Sequence, residues 1–160
     1  MRKILNHINN KYFRNYNLPP DSEAGIKLKG HRDYIGGKWN ELGTLQMQFL
    51  IHQGLKKKDK VLDLGCGSLR LGVKLIPFLE KGCYFGVEKE PLLIKAGIEH
   101  ELDKDSFQSK IPTLIVSDKF EFTDIKYKID FAIAQSLFTH IPKKLINLCF
   151  KNLHLVLKKE

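Results

Sequence analysis

The stretch Val61-Leu62-Asp63-Leu64-Gly65-Cys66-Gly67-Ser68 constrains this 160-residue chain more than any other feature. Residues 60–64 fit a short buried strand. Gly65 and Gly67 then permit a tight turn and a close approach of another molecule to the backbone. The run 68–80 (SLRLGVKLIPFLE) follows at once and reads as a helix whose last turn is ended or kinked by Pro77. A strand that feeds a glycine turn and then a helix gathers free backbone N–H groups at one point.

The same rhythm continues. Residues 83–88 (CYFGVE) read as a second strand, 91–102 as a helix with Pro91 in its first turn, 113–117 and 129–135 as strands three and four, and 142–158 as a closing helix. Strands made of continuous apolar runs, alternating with helices, imply an α/β three-layer arrangement around a parallel sheet covered on both faces. Only residues 118–128 separate strands three and four, too few for a crossover helix. Extended, they span ~36–40 Å, enough to cross three inter-strand gaps and return one strand length. The strand order 3-2-1-4 is thus geometrically allowed, with this link as a mostly irregular crossover, and is adopted as the expectation for the sheet. Upstream, residues 1–39 are basic and punctuated by Pro19, Pro20, Gly30, Gly36 and Gly37, an arm of short pieces preceding a domain over 40–160. Asn40 is placed to cap a helix to about Gln53, with Leu42, Leu45, Phe49 and Leu50 on one face and Gly54 closing it.

The formal charge of +9 comes from 23 lysines and 4 arginines against 18 carboxylates. Lysine is a hydrated point charge, whereas arginine grips phosphate with a planar fork, so this excess argues only weakly for nucleic acid. Lys56, Lys57, Lys58 and Lys60 lie just before the first strand; they form either a solvated loop or a polyanion-binding patch. Cys66, Cys83 and Cys149 are odd in number and widely spaced, which indicates neither a disulfide framework nor a metal site. No apolar run has the length of a signal peptide or a membrane helix, and a cytosolic protein is expected.

A dinucleotide fingerprint would place glycine at position 70, where this chain has Arg70, and no GxxxxGK[ST] phosphate loop is present. An acidic residue does end the second strand: Glu88 can accept ribose hydroxyls. VLDLGCG at 61–67 resembles the first motif of class I S-adenosylmethionine-dependent methyltransferases, YFGVE at 84–88 the second, VSDKF at 116–120 the third and DFAIAQSLFTHIP at 130–142 the fourth. HRDYIGGKWNELGTLQ at 31–46 is similar to the segment that precedes motif one in a bacterial branch of that family. The resemblance implies a Rossmann-like fold with S-adenosyl-L-methionine as cofactor. It implies that Asp63, Gly65, Cys66 and Gly67 cradle the methionine part, mostly by backbone, and that Glu88 holds the ribose. Asp118 would meet the adenine amino group with Phe120 beside the ring, and Gln135 would lie near the sulfonium. Many members carry glycine where this chain has Leu69, which alters the turn.

Methyl transfer from a sulfonium is an in-line displacement in which positioning is the main contribution, and hydroxyl acceptors can also need a base. His140 is either that base or a structural histidine closing the loop before Pro142. Trp39 is either a helix-entry anchor or part of a lid, and Cys66 is expected to pack against the sheet rather than act as a nucleophile. Gln135-Ser136-Leu137-Phe138 is not the [DNS]-P-P-[YF] motif of base-amine methylation. The expected partner is thus a small-molecule, sugar or lipid-precursor acceptor, with nucleic acid disfavoured. Members of the family continue into strands five to seven, so the chain reads as the cofactor-binding half, truncated after the fourth strand and its helix. Strand four would then be an open edge suited to self-association. Two alternatives stay open: a non-catalytic remnant that binds cofactor or a partner, and an RNA methyltransferase or polyanion-binding module.

Overall fold

The computed structural model describes residues 22–159, so the first 21 residues of the expected basic arm lie outside the described part. Three helices come first: α1 (Ser22–Lys29), α2 (His31–Tyr34) and α3 (Trp39–His52). The α/β unit follows as β1 (Val61–Leu64), α4 (Gly72–Phe78), β2 (Tyr84–Glu88), α5 (Pro91–Ala96), a π-helical turn (Gly97–Glu101), α6 (Lys104–Lys110), β3 (Thr113–Val116), β4 (Phe131–Ala134) and α7 (Lys143–Val156). All strand pairs are parallel, and the order is β3-β2-β1-β4. Leu62 lies between Phe85 and Ala132 in the register, and Val87 pairs with Ile115.

Strand alternation divides the core in two. Val61 and Tyr84 point to a layer with Leu50, Leu75, Ile76 and Ile94, beneath α3, α4 and α5. Leu62, Leu64, Phe85 and Val87 point to the other side, where Cys149 and Leu153 of α7 pack. The irregular crossover 118–129 also belongs to that layer through Phe120, Phe122 and Ile125. It takes no helical form because its apolar side chains are already occupied in covering the sheet. The result is the three-layer α/β architecture expected from the sequence.

Several local expectations are corrected. The helix after β1 begins at Gly72, not at residue 68, because Leu69 adopts φ +68° and delays it. Helix α3 is entered through Lys38 in a left-handed conformation, with Asn40 inside the helix and no side-chain cap. Its buried face is Gly43, Gln46 and Leu50, while Leu45 and Phe49 are more than half exposed. Helix α6 was hidden in a polar stretch, and Asp103 starts it by accepting a hydrogen bond from the Ser106 backbone N–H at 2.8 Å.

Leu69 is fully buried, yet it holds a backbone geometry that costs an L-residue roughly 1–2 kcal/mol. Truncation to alanine keeps that strain and loses the packing, at a cost of about 3–5 kcal/mol. Leu69→Gly loses the same packing but relieves the strain, so it should be about 1 kcal/mol less destabilising than Leu69→Ala, inverting the usual order of the two residues. Urea unfolding of the three proteins tests this, and an alanine variant more stable than the glycine variant rules out a left-handed backbone at 69.

Candidate functional site

The sheet order reverses between β1 and β4, and the loops leaving the C-terminal strand ends open there into a cavity of about 680 Å³. Open α/β sheets bind ligands at such switch points. Gly65 forms its floor, Glu88 stands at the tip of β2, Asp118 and Phe120 come from the loop after β3, and Leu137, His140, Ile141 and Pro142 close the side after β4. The volume lies within the range of small-molecule sites.

The glycine turn is held from below. The N–H groups of Gly65 and Cys66 both donate to the Val87 carbonyl, at 2.8 and 3.1 Å. Gly65 and Gly67 have φ of +68° and +55°, and a Cβ at either would meet a neighbour at 3.1 Å: Leu137 Cδ1 for Gly65 and Ile35 Cγ2 for Gly67. A side chain at either position would be strained by the dihedral and would require its neighbour to shift by a few tenths of an ångström.

Glu88 is buried and makes three backbone hydrogen bonds. Its Oε2 accepts from Gly67 N–H at 3.0 Å, and its Oε1 accepts from Lys89 and Glu90 N–H at 2.9 and 3.1 Å. A carboxylate offers about four acceptor positions, so one remains for a ligand unless the Gly67 N–H is displaced. The expectation that Glu88 takes both ribose hydroxyls is narrowed accordingly.

Asp63 lies beneath the turn, buried and outside the cavity lining. Burial pushes its carboxyl up to about 6, while the Tyr84 hydroxyl, which donates to Oδ2 at 2.9 Å, and the Arg70 charge pull it down. Burial also pushes the Cys66 thiol well above the usual range, and its sulfur faces Gly86, so it packs as an inert thiol. Gly67 touches the cavity only through its bond to Glu88. Gln135 is exposed and donates to Ser136 Oγ at 3.1 Å, away from the lining, and Trp39 is likewise not part of it. Gly65, Glu88, Asp118, Phe120 and His140 are thus brought together, and Asp63, Cys66, Gly67 and Gln135 are not.

Sequence reasoning missed the apolar wall of Leu137, Ile141 and Leu145, whose only signal was its spacing around the start of α7. It also missed Ser117, whose hydroxyl accepts from the N–H groups of Lys119 and Glu121 and shapes the loop that carries Asp118. A further element is the segment 31–39. Arg32 grips the buried Glu101 carboxylate with two bonds of 2.6 Å, His31 Nε2 lies 2.6 Å from the same group, and the guanidinium sits 4.9 Å over the Trp39 ring. Arg70 donates from Nη1 to the carbonyls of Ile35 and Gly37, at 3.4 and 3.0 Å. The position that breaks the dinucleotide fingerprint therefore anchors this segment against the glycine turn.

No protein-family model matches the chain. Solved structures do. The magnesium protoporphyrin IX methyltransferase ChlM from Synechocystis PCC 6803, with bound S-adenosylmethionine, superposes at a TM-score of 0.60 with 16% identity, over 79% of this chain and 57% of its own. A S-adenosylmethionine-dependent methyltransferase from Clostridium acetobutylicum ATCC 824 gives 0.56 at 18% identity, over 99% and 54%. The PH0226 protein from Pyrococcus horikoshii OT3 gives 0.60 at 25% identity, over 80% and 54%. The chain spans about half the length of the structures it matches.

The Asp63 carboxyl ionises more easily in the unfolded chain than in the fold, so its contribution to stability is complete below about pH 4 and is lost as pH rises through 6. Relative to wild type, Asp63→Asn should gain stability over that window, by on the order of 2–3 kcal/mol at most. Urea unfolding of both proteins from pH 4 to 7.5 checks the sign, and a constant difference across the window contradicts it. Strand order, layering and superposition agree on one conclusion: this chain has the Rossmann-like fold of S-adenosylmethionine-dependent methyltransferases.

Proposed function

We propose that the chain binds S-adenosyl-L-methionine in the β1–β4 crevice and serves methyl transfer to a small-molecule, sugar or lipid-precursor acceptor. The observation that carries this reading is the convergence of Glu88, Asp118 and Phe120 on a cavity that Gly65 lines at the end of β1. These residues fit the group. Glu88 retains an acceptor position for a ribose hydroxyl, Asp118 is exposed at the rim to meet an adenine amino group, and Phe120 offers its ring beside it. When bound, the cofactor supplies a methyl group activated on a sulfonium.

The protein's own contribution is orientation and exclusion of water. Leu137, Ile141 and Leu145 form an apolar wall, with Leu137 packed against the Gly65 backbone. His140 lines the cavity with its imidazole exposed, where it can take a proton from a hydroxyl acceptor. One observation favours a second reading, a binding role without turnover: among the described residues Phe131–Ala134 pairs only with β1, and its other edge is met only at its entrance, by the parallel Ile129–Leu157 bridge, which leaves the rest able to pair with a second copy.

Calorimetry with S-adenosylhomocysteine tests the cofactor site. Binding is expected to weaken about 10- to 100-fold in Glu88→Ala, the scale of a charge-assisted hydrogen bond, with unfolding midpoints reporting separately on the fold. Absence of binding at millimolar ligand overturns the cofactor reading. With binding established, a screen of hydroxyl and amine acceptors and the mass in solution separate turnover from edge pairing.

A further inference from the structure

We propose that the end of the molecule opposite the cavity is a docking surface for single-stranded nucleic acid, held through its phosphates and a stacked base. The inference is independent of the methyl-transfer reading and rests on how the topology distributes charge. Because every strand is parallel, all of them start at the same end of the sheet. The segments entering them are stitched together there. Glu80 N–H donates to the Lys57 carbonyl and Gly82 N–H to that of Lys110, both at 2.7 Å, while Asp130 N–H donates to Lys60 and Lys158 N–H to Ile129, both at 2.9 Å.

Segments 56–60, 80–83, 110–112, 124–130 and 157–159 together hold ten lysines and four carboxylates, a net +6 against the chain's formal net charge of +9. The segments around the cavity, 88–91, 117–121 and 135–144, hold four lysines and four carboxylates. Among the described residues these segments polarise the charge between the two ends of the sheet, with the excess away from the site already described. Lys56, Lys57, Lys58, Lys81, Lys126 and Lys159 are exposed. Lys110 and Lys128 are pinned by bonds from Nζ to the carbonyls of Leu79 and Leu155, at 2.7 and 2.8 Å. Crowding like charges destabilises a compact state by self-repulsion, which a bound polyanion relieves.

The kind of polyanion follows from one aromatic and from the absence of arginine. Tyr127 is 61% exposed between Lys126 and Lys128, with Lys60 Nζ 5.2 Å from its ring centroid. An exposed ring among ammonium groups can stack a base while its neighbours meet phosphates. Lysine point charges suit the backbone and do not read base edges, so the binding is expected to tolerate sequence. Exposed Ile111 and Leu155 flank the same end, and an anionic lipid surface is therefore the competing occupant to be tested.

The test uses the full chain with a fluorescent polyuridine RNA of about 20 nucleotides, with affinity followed from about 50 to 300 mM KCl. Three or more phosphate contacts predict a log–log slope of about −2 or steeper, at roughly 0.7 per phosphate for single strands. Lys56→Glu/Lys57→Glu/Lys58→Glu should weaken binding at least about tenfold at low salt and flatten the slope, and Tyr127→Ala should weaken it about 5- to 100-fold. Lys143→Glu/Lys144→Glu, at the cavity end, should change it less than about threefold. Urea midpoints matching wild type establish that each variant is folded. No binding at about 100 μM protein in low salt, an equal loss in the cavity-end variant, or binding to phosphatidylserine vesicles without binding to RNA each overturns the proposal.

Discussion

The Glu88 carboxylate joins three parts of the structure at one point. It ends β2, satisfies the first N–H groups of the segment entering α5, and holds the glycine turn that leaves β1 through Gly67 N–H. Helix starts leave backbone donors without partners, and a buried carboxylate serves them well because charge-assisted bonds are about twice as strong as neutral ones. The rim of the crevice is therefore preorganised by the same group that faces a ligand. Any ligand that engages Glu88 enters a network already three-quarters filled, so binding and the position of the glycine turn are coupled.

The second organising constraint is the buried pair beneath that turn. Asp63 and Tyr84 sit on adjacent strands, joined by a 2.9 Å hydrogen bond in the layer under α3 and α4. Arg70 lies close enough to lower the Asp63 carboxyl and also donates to the carbonyls of Ile35 and Gly37. Burying polar groups is costly unless they find partners: Asp63 and Tyr84 find one another and Arg70 Nη1 finds the segment 31–39, while Arg70 Nε is left without a partner. The upstream segment is thereby fastened to the sheet through the interior of the domain as well as through the Arg32–Glu101 bridge at the surface.

The layers were legible because apolar runs of four or five residues, spaced by helical periods, leave few alternatives, and the strand order was legible only as one that the short 118–128 link can reach. Glu88 was legible through its spacing from the glycine turn, whereas Asp118 and Phe120 were legible only through the resemblance of VSDKF at 116–120 to a family motif. Helix boundaries were not. Leu69 reads as an ordinary helix residue, and its left-handed backbone is imposed by a turn that also serves Glu88. The exposed Leu45 and Phe49 show the same limit, since periodicity ranks faces of a helix but does not say which face meets the sheet; the small Gly43 and the polar Gln46 lie inward instead. Helix α6 carries too few apolar residues for a periodic signal, and its start depends on one capping aspartate.

The glycine turn is bounded by side chains from opposite ends of the chain, Ile35 over Gly67 and Leu137 over Gly65. Substitutions at positions 35 and 67, or at 137 and 65, therefore act on a shared space, and their effects on stability are non-additive. A smaller residue at 35 or 137 leaves room for a Cβ on the glycine but not the dihedral angle it needs. The two residues that never touch in sequence set the tolerance of the turn, so its apparent rigidity belongs to the surrounding pair as much as to the glycines.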